Sequence, residues 1–290
     1  MIYDYSSMAT VSVIIPTYNR AWALNEAIES VMAQDYHDFE IVVVDDGSTD
    51  NTSEILQAFP EILVVRQDTQ GVSAARNAGI ELASGRLIAF LDSDDLWLPA
   101  KLSTQVGFFD SNPDALICQT EEIWIRNGLR VNPKKRHKKF SGMIFEQSLE
   151  LCIVSPSAVM MRTLLFHEVG GFDETLPVCE DYDLWLRIAC RFPIYLIDVP
   201  LVIKRGGHPD QLSRKRGIDR YRIQALKKNI EGGLLSPGQC DAAVAALQEK
   251  CAIYAAGCKK RGRVAEADEY VQLSQSFKTV GGVLGGNQPA

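Results

Sequence analysis

No apolar run in this chain approaches the ~20 residues needed to cross a bilayer, and its first residues lack the basic-then-apolar pattern of a secretory leader. The expected location is therefore cytoplasmic, or peripheral at the inner face of the membrane. The seven cysteines (Cys118, Cys152, Cys179, Cys190, Cys240, Cys251 and Cys258) are dispersed, without a Cys-x-x-Cys pair. That pattern excludes a zinc ribbon and a disulfide frame, and it fits reduced, partly buried thiols. Basic charge is in deficit too, with 30 Lys and Arg against 37 Asp and Glu. A formal charge of -7 excludes a general nucleic-acid binder, because neutralising phosphates requires a basic surface. A glycine-rich, basic phosphate loop after the first apolar run is also missing; Pro16-Thr17-Tyr18-Asn19-Arg20 stands there instead.

What remains is an ordinary globular composition, 290 residues with 46% hydrophobic side chains, enough for a sizeable core. One local exception to the acidic balance is Lys134-Lys135-Arg136-His137-Lys138-Lys139, with a second run at Arg214, Lys215 and Arg216. The first run reads either as a solvated loop or as a contact for an anionic acceptor or membrane surface.

Short β-rich runs at Val11–Ile15, Ile41–Val44, Ile62–Val65 and Leu87–Leu91 alternate with helical patterns at Trp22–Met32, Thr52–Phe59 and Val72–Ala83. This order predicts an α/β fold with a mainly parallel sheet covered by helices on both faces. From about 115 to 204 the pattern is mixed, with a hairpin turning at Arg126-Asn127-Gly128 and a helix over Tyr182–Cys190. Beyond Arg214 it is helical. Ser236 and Pro237 mark a helix start, and Tyr254–Leu273 has the small-residue pattern of one tetratricopeptide-like hairpin.

Ligands of such sheets bind at the carboxyl ends of the strands, and the unusual polar residues of this chain fall there. Asp92, Asp94 and Asp95 lie within four residues after the apolar run Leu87–Leu91. Two carboxylates ~4 Å apart repel by roughly 4 kcal/mol at an effective dielectric of 20, so the cluster calls for a cation or a proton. Hard ions such as Mg²⁺ or Mn²⁺ suit oxygen ligands. Asp45-Asp46 ends another strand and is followed by Gly47-Ser48-Thr49-Asp50, where Ser48 or Asp50 is placed to cap the next helix; capping leaves Asp46 unexplained. Glu180-Asp181 opens the helix of Leu184 and Trp185, with Asp183 on its first turn, as a dipole partner or a candidate base.

In order, VSVIIPTYNR, EIVVVDDGSTDNT, GVSAARNAGIELASGRLIAFLDSDD, GGFDE and CEDYDLWLRIA resemble the family 2 glycosyltransferases with the GT-A fold, over about residues 11 to 213. The resemblance implies a Rossmann-like, mainly parallel mixed sheet flanked by helices, with a C-terminal helical extension. It implies an inverting enzyme that moves a sugar from a nucleotide-diphosphate donor (UDP-, dTDP- or GDP-linked) to a carbohydrate or lipid-linked acceptor hydroxyl, in surface polysaccharide or glycolipid synthesis, with Mg²⁺ or Mn²⁺ as cofactor. Carried over by motif, Pro16, Thr17, Tyr18 and Arg20 would line the nucleotide pocket, Asp46 would accept from the base, and Arg76 would complete that pocket or meet the diphosphate. Asp92 and Ser93 would lie near the ribose, and Asp94 would take the ion with Asp95 in support. Asp181 would be the general base, beside Glu180. His208 would reach the metal or diphosphate, with Gln211 and Ser213 closing a loop, and Asp173 would border the acceptor. Trp97, Trp124 and Trp185 read as sugar platforms or, more commonly for aromatics beside apolar runs, as core.

The implied domains are a flexible 1–10, a GT-A catalytic domain over 11–214, a helical subdomain over 215–280 and a flexible 281–290. The helical tail is the expected route to a homo-oligomer. Two other readings stand beside this one: a sugar nucleotidyltransferase, disfavoured by the missing phosphate loop, and a nucleotide-sugar-binding protein without transfer activity, disfavoured by the presence of both Asp94 and Asp181.

Overall fold

The computed structural model describes residues 9–208, 211 and 217–278. The expected flexible tail from 281, nearly all of the N-terminal segment, Ser213 and the Arg214–Arg216 run lie outside the described residues.

The β-α alternation gives β1 (Val11–Thr17), α1 (Ala21–Met32), β2 (Phe39–Asp45), α2 (Thr52–Gln57), β3 (Leu63–Arg66), α3 (Val72–Leu82) and β4 (Leu87–Phe90). Next come β5 (Leu96–Trp97), α4 (Lys101–Ser111), the hairpin β6 (Ile117–Arg126) and β7 (Leu129–Val131), α5 (Phe145–Ser148), β8 (Val159–Arg162) and α6 (Leu164–Val169). The rest is α7 (Glu180–Ala189), β9 (Tyr195–Gly206), α8 (Ile218–Glu231), α9 (Pro237–Lys259) and α10 (Val264–Ser276).

One sheet runs in the order β3-β2-β1-β4-β8-β6-β9-β5, with β7 on β6. β1 to β4 are mutually parallel; β8 runs against β4 and β6, and β9 is parallel to β6. Because β1, β2 and β4 are covered on both faces, they are nearly continuous apolar runs whose side chains alternate between two cores. Val11, Val13, Ile15, Ile41 and Val43 pack with Leu24 and Ile28 of α1 and Val106 and Phe109 of α4. Ile14, Val42, Val44, Ile88 and Phe90 face the opposite side, with Ala75 of α3 and Leu186 of α7. Full burial of each such side chain contributes about 1.5–3 kcal/mol.

The hairpin turn is where Asn127 and Gly128 were expected to put it. Both have positive φ, 49° and 75°, as a two-residue turn between Arg126 and Leu129 requires. Ser236 caps α9 in a reciprocal box with Gln239, with Pro237 in the first turn. Helices α8 to α10 share the second core: Ile223, Leu226, Leu247 and Cys251 are buried in the same apolar cluster as the α7 residues. Trp97 and Trp185 are buried core, 3% and 1% exposed, which settles those two of the three tryptophans against a sugar-platform role.

Candidate active site

Parallel pairing of β1 with β2 sets Thr17 opposite Asp45, so the polar segments after both strands leave the sheet at one edge. Asn19, at φ 51°, ties those loops together. Its backbone N–H donates to Ser48 Oγ at 2.8 Å, and its side-chain carbonyl accepts from Thr49 N at 2.8 Å. Ser48 therefore joins two loops, and of the two candidates from spacing it is Asp50 that serves the start of α2. Asp50 accepts from Thr52 N at 3.1 Å, and it accepts from Ala21 N of α1 at 3.0 Å as well. Of the expected nucleotide-pocket residues, Pro16 and Thr17 are buried, Tyr18 is 45% exposed and Arg20 lies between. Thr17 Oγ1 is buried with no hydrogen-bond partner among the described residues, the condition expected of a group that awaits a ligand.

Asp46, which capping could not explain, is 4% exposed. One oxygen accepts from Gln67 Nε2 at 2.7 Å and Gln70 N at 2.8 Å, the other from Gly71 N at 2.8 Å. The carboxylate thus pins the segment between β3 and α3 to the sheet edge, and Oδ2 retains capacity for one more donor.

The acidic loop after β4 is linked to the start of α7 by one buried side chain. Arg76 of α3 donates through one terminal nitrogen to Asp92 Oδ1 and through the other to Glu180 Oε1, both at 2.7 Å. Its guanidinium lies 5.1 Å from the Phe172 ring centre. At 3% exposure Arg76 is no surface arginine, and both terminal nitrogens are committed to carboxylates beneath the site. Burial, and then the charge of Asp181, raise Glu180 to about 7 despite the opposing pull of Arg76. Arg76 itself is held cationic by Asp92 and Glu180 against the effect of its own burial.

Asp94 and His208 converge from the segments that follow β4 and β9, with His208 Nε2 2.7 Å from Asp94 Oδ2. Burial and the neighbouring Asp92 raise Asp94 above the ordinary carboxylate range, a crowding that a divalent cation would relieve. Two carboxylates and an imidazole at a solvent-accessible edge suit an ion that completes its shell with water and diphosphate oxygens. Among the described residues, no three His, Cys, Asp or Glu side chains stand ready to enclose an ion by themselves. Asp95 is a buried brace: it accepts from Ser157 Oγ at 2.7 Å and Arg205 N at 2.9 Å, and Ser157 Oγ also accepts from Asp92 N at 3.1 Å. Ser93 is buried beside it. Gln211 accepts from Gly207 N at 3.1 Å, steadying the turn that carries His208.

The three acids at the start of α7 separate by environment. Asp183 is fully buried and bonded to Arg187 at 2.9 Å and Lys228 at 3.0 Å, a structural pair. Glu180 belongs to Arg76. Asp181 is partly exposed; it accepts from Tyr182 N at 2.7 Å and from the Cys152 thiol at 3.4 Å. Burial, followed by the charge of Asp181, holds that thiol protonated. Asp173 accepts from Thr175 N at 2.9 Å and Lys228 Nζ at 2.7 Å. Burial works against ionising it, yet these bonds prevail and hold it at about 2. It braces the turn before α7 against α8.

Sequence reading missed four contributors. Trp22, 56% exposed, sets its ring 5.4 Å from that of His208. Arg205 bonds the Asp94 carbonyl and Glu26. Ser157 comes from a short 3₁₀ turn, Pro156–Ala158, and Cys152 from the loop before it, and neither stretch carries a motif. Arg205 stands three residues before His208, so position was the available signal. The basic run also needs a correction: Lys139 is buried, 3.2 Å from Glu122 and bonded to the Thr120 carbonyl at 2.8 Å, while its neighbours point outward.

The family model described as "Glycosyl transferase family 2" matches residues 12–170. An uncharacterized glycosyltransferase of Rickettsia felis is 40% identical over 195 residues, 66% of this chain and 32% of the relative. This chain thus spans about a third of the length of that relative. The Escherichia coli UDP-Glc:alpha-D-GlcNAc-diphosphoundecaprenol beta-1,3-glucosyltransferase WfgD is 35% identical over 185 residues, 61% of this chain and 69% of WfgD. Among solved structures, S. aureus TarS 1-349 in complex with UDP-GlcNAc superposes with a TM-score of 0.69 at 20% identity, covering 92% of this chain and 91% of the other. The mannosyltransferase PcManGT from Pyrobaculum calidifontis, in complex with GDP-Man and Mn²⁺, gives 0.57 at 20% identity, with 94% and 85% covered. These likenesses establish the GT-A fold.

Proposed function

The chain belongs to glycosyltransferase family 2, and from that premise we propose that it transfers a hexose from a UDP-linked donor, with inversion, to a lipid-linked sugar acceptor in surface polysaccharide synthesis. The observation that carries the reading is the Arg76 bridge, which links the acidic loop after β4 to the residue preceding Asp181. Through Asp92 and Glu180 the bridge fixes the donor-side carboxylate loop relative to the helix start that presents the partly exposed Asp181, and single displacement needs a base held opposite the donor. The donor and acceptor classes are supported by the names of WfgD and of the TarS complex with UDP-GlcNAc, and the GDP-Man complex of PcManGT keeps GDP-linked donors in the test panel.

In this mechanism the Thr17 and Asp46 loops bind the nucleotide, with Tyr18 and Arg20 at its exposed side. Asp94 and His208, with Asp92, would hold Mg²⁺ or Mn²⁺, which supplies charge neutralisation for the departing diphosphate. Asp181 accepts the acceptor hydroxyl proton as that oxygen attacks the anomeric carbon; a carboxylate is too weak a base to ionise the hydroxyl beforehand, so transfer and attack are concerted. The Cys152 thiol and the Tyr182 N–H fix the carboxylate's orientation.

Asp181→Asn is expected to lower transfer by about 10²–10⁴-fold while leaving nucleotide binding in place. Turnover from a panel of UDP- and GDP-sugars in Mn²⁺ and in Mg²⁺ measures it; an undiminished rate in the variant would remove Asp181 from the mechanism. NMR of the product reads the anomeric configuration, and retention would reject single displacement.

A further inference from the structure

Residues 123 to 145 contain seven of the 30 Lys and Arg and none of the 37 Asp and Glu in a chain of net charge -7. Apart from Lys139, these cations are Arg126 and Arg130 of the β6–β7 hairpin and Lys134, Lys135, Arg136 and Lys138 of the segment after it, all exposed. Hairpin and segment fold together in space. The His137 ring lies 5.0 Å from that of Trp124, and Arg126 lies over Trp124 at 5.7 Å. His137 is pushed down by burial and then by Arg136, Arg126, Lys204 and Lys134, so cations of strand and segment surround one point.

At the tip of this cationic lobe stands an apolar side chain: Leu129, in register with Arg126, is 71% exposed. A soluble polyanion calls for the cations alone. Cations flanking a projecting leucine, with a half-buried tryptophan behind, match a surface whose phosphates lie over hydrocarbon. The lobe also adjoins the candidate active site. Asn127 N donates to the Gly206 carbonyl at 3.2 Å, two residues before the histidine that meets Asp94.

We infer that the β6–β7 hairpin and the Lys134–Lys138 segment form a docking surface for an anionic phospholipid bilayer, which holds the active-site edge against the membrane carrying the acceptor. This extends the lipid-linked acceptor reading, but the vesicle-binding measurement that decides it uses neither donor nor acceptor, so the two stand or fall separately.

The test is flotation of the full chain with vesicles of phosphatidylcholine alone, or mixed with about a third phosphatidylglycerol, at low and high salt. Binding is expected only to the mixed vesicles and should weaken steeply with salt. The triple variant K134Q/K135Q/R136Q is expected to lower the partition coefficient by about 100-fold, near fivefold per cation. Leu129→Ser should lower it by about tenfold even at low salt. Circular dichroism confirms that both variants remain folded, and donor hydrolysis should be unchanged because neither alters the site. No binding to mixed vesicles, equal binding to neutral ones, or full retention by the triple variant would each overturn the inference. Binding to soluble polyphosphate without vesicle binding would overturn it as well and assign the cations to a soluble polyanion.

Discussion

Arg76 shows how much one side chain can decide. Its two carboxylate partners come from elements 16 and 104 residues away, and Glu180 has 6% of its side chain exposed. Removing the cation strands a buried acid beside Asp181, so Arg76→Met is expected to destabilise the fold by about 3–5 kcal/mol, reduced where the partly exposed Asp92 is rehydrated. A denaturant melt measures this, and an unchanged midpoint would contradict it. A second buried acid gives a pH test. Burial alone would raise Glu122, yet Lys139 and then Lys204 outweigh it and hold the carboxyl at about 2, below its ordinary 4.5. The stability this carboxylate contributes is therefore complete above pH 4.5 and is lost as pH falls toward 2, on the order of 3 kcal/mol. Glu122→Gln should flatten that part of the thermal melting profile between pH 5 and pH 2.5 relative to the parent. An identical acid slope in the variant would show that the charge is not stabilising. At this scale the sequence displayed the acids but not their partners, since spacing ranks Glu180, Asp181 and Asp183 alike, and burial sets Asp181 apart while different cations distinguish the other two.

Among the elements, the close fit of helix on sheet is tested by two glycines. A Cβ on Gly79 of α3 would lie 2.4 Å from Ile14 Cγ2, whereas one on Gly107 of α4 meets nothing within 4 Å. Gly107→Ala should therefore raise stability by about 0.5–1 kcal/mol through helix propensity, and Gly79→Ala should lower it by about 1–3 kcal/mol by forcing α3 off β1. Chemical denaturation of the pair reads both signs, and stabilisation by Gly79→Ala would mean that the packing is looser than described. Cys179, at φ 65°, adopts the left-handed conformation immediately before Glu180 and Asp181, strain stored where α7 presents its acids. Elements were the most legible level of the sequence. Apolar runs covered on both faces gave β1, β2 and β4 to within about two residues, and Asn127-Gly128 gave the hairpin. Short α2 ended earlier than its pattern, at Gln57, where Pro60 follows closely.

For the molecule as a whole, α8 to α10 bury Leu226, Leu247, Cys251 and Ala267 in the same cluster as Phe90 and Trp185. We propose that they unfold with the sheet. All four tryptophans precede residue 186 while three long helices follow it, so fluorescence and far-UV circular dichroism report on different parts. Coincident melting curves are expected; an early loss of helix without change in fluorescence would mark the helices as an independent unit. The sequence by itself determined the α/β class, the strands and their two-faced burial, and the acidic segments at the strand ends, because these follow from local periodicity and turn chemistry. Its ordered motifs also identified the family. Only the tertiary structure decided that Arg76 joins Asp92 to Glu180, that Asp173 and Asp183 are braced by Lys228, that Lys139 turns inward, and that Trp22 meets His208. Those are pairings between distant segments, set by how helices and strands pack, and no local pattern in the chain encodes them.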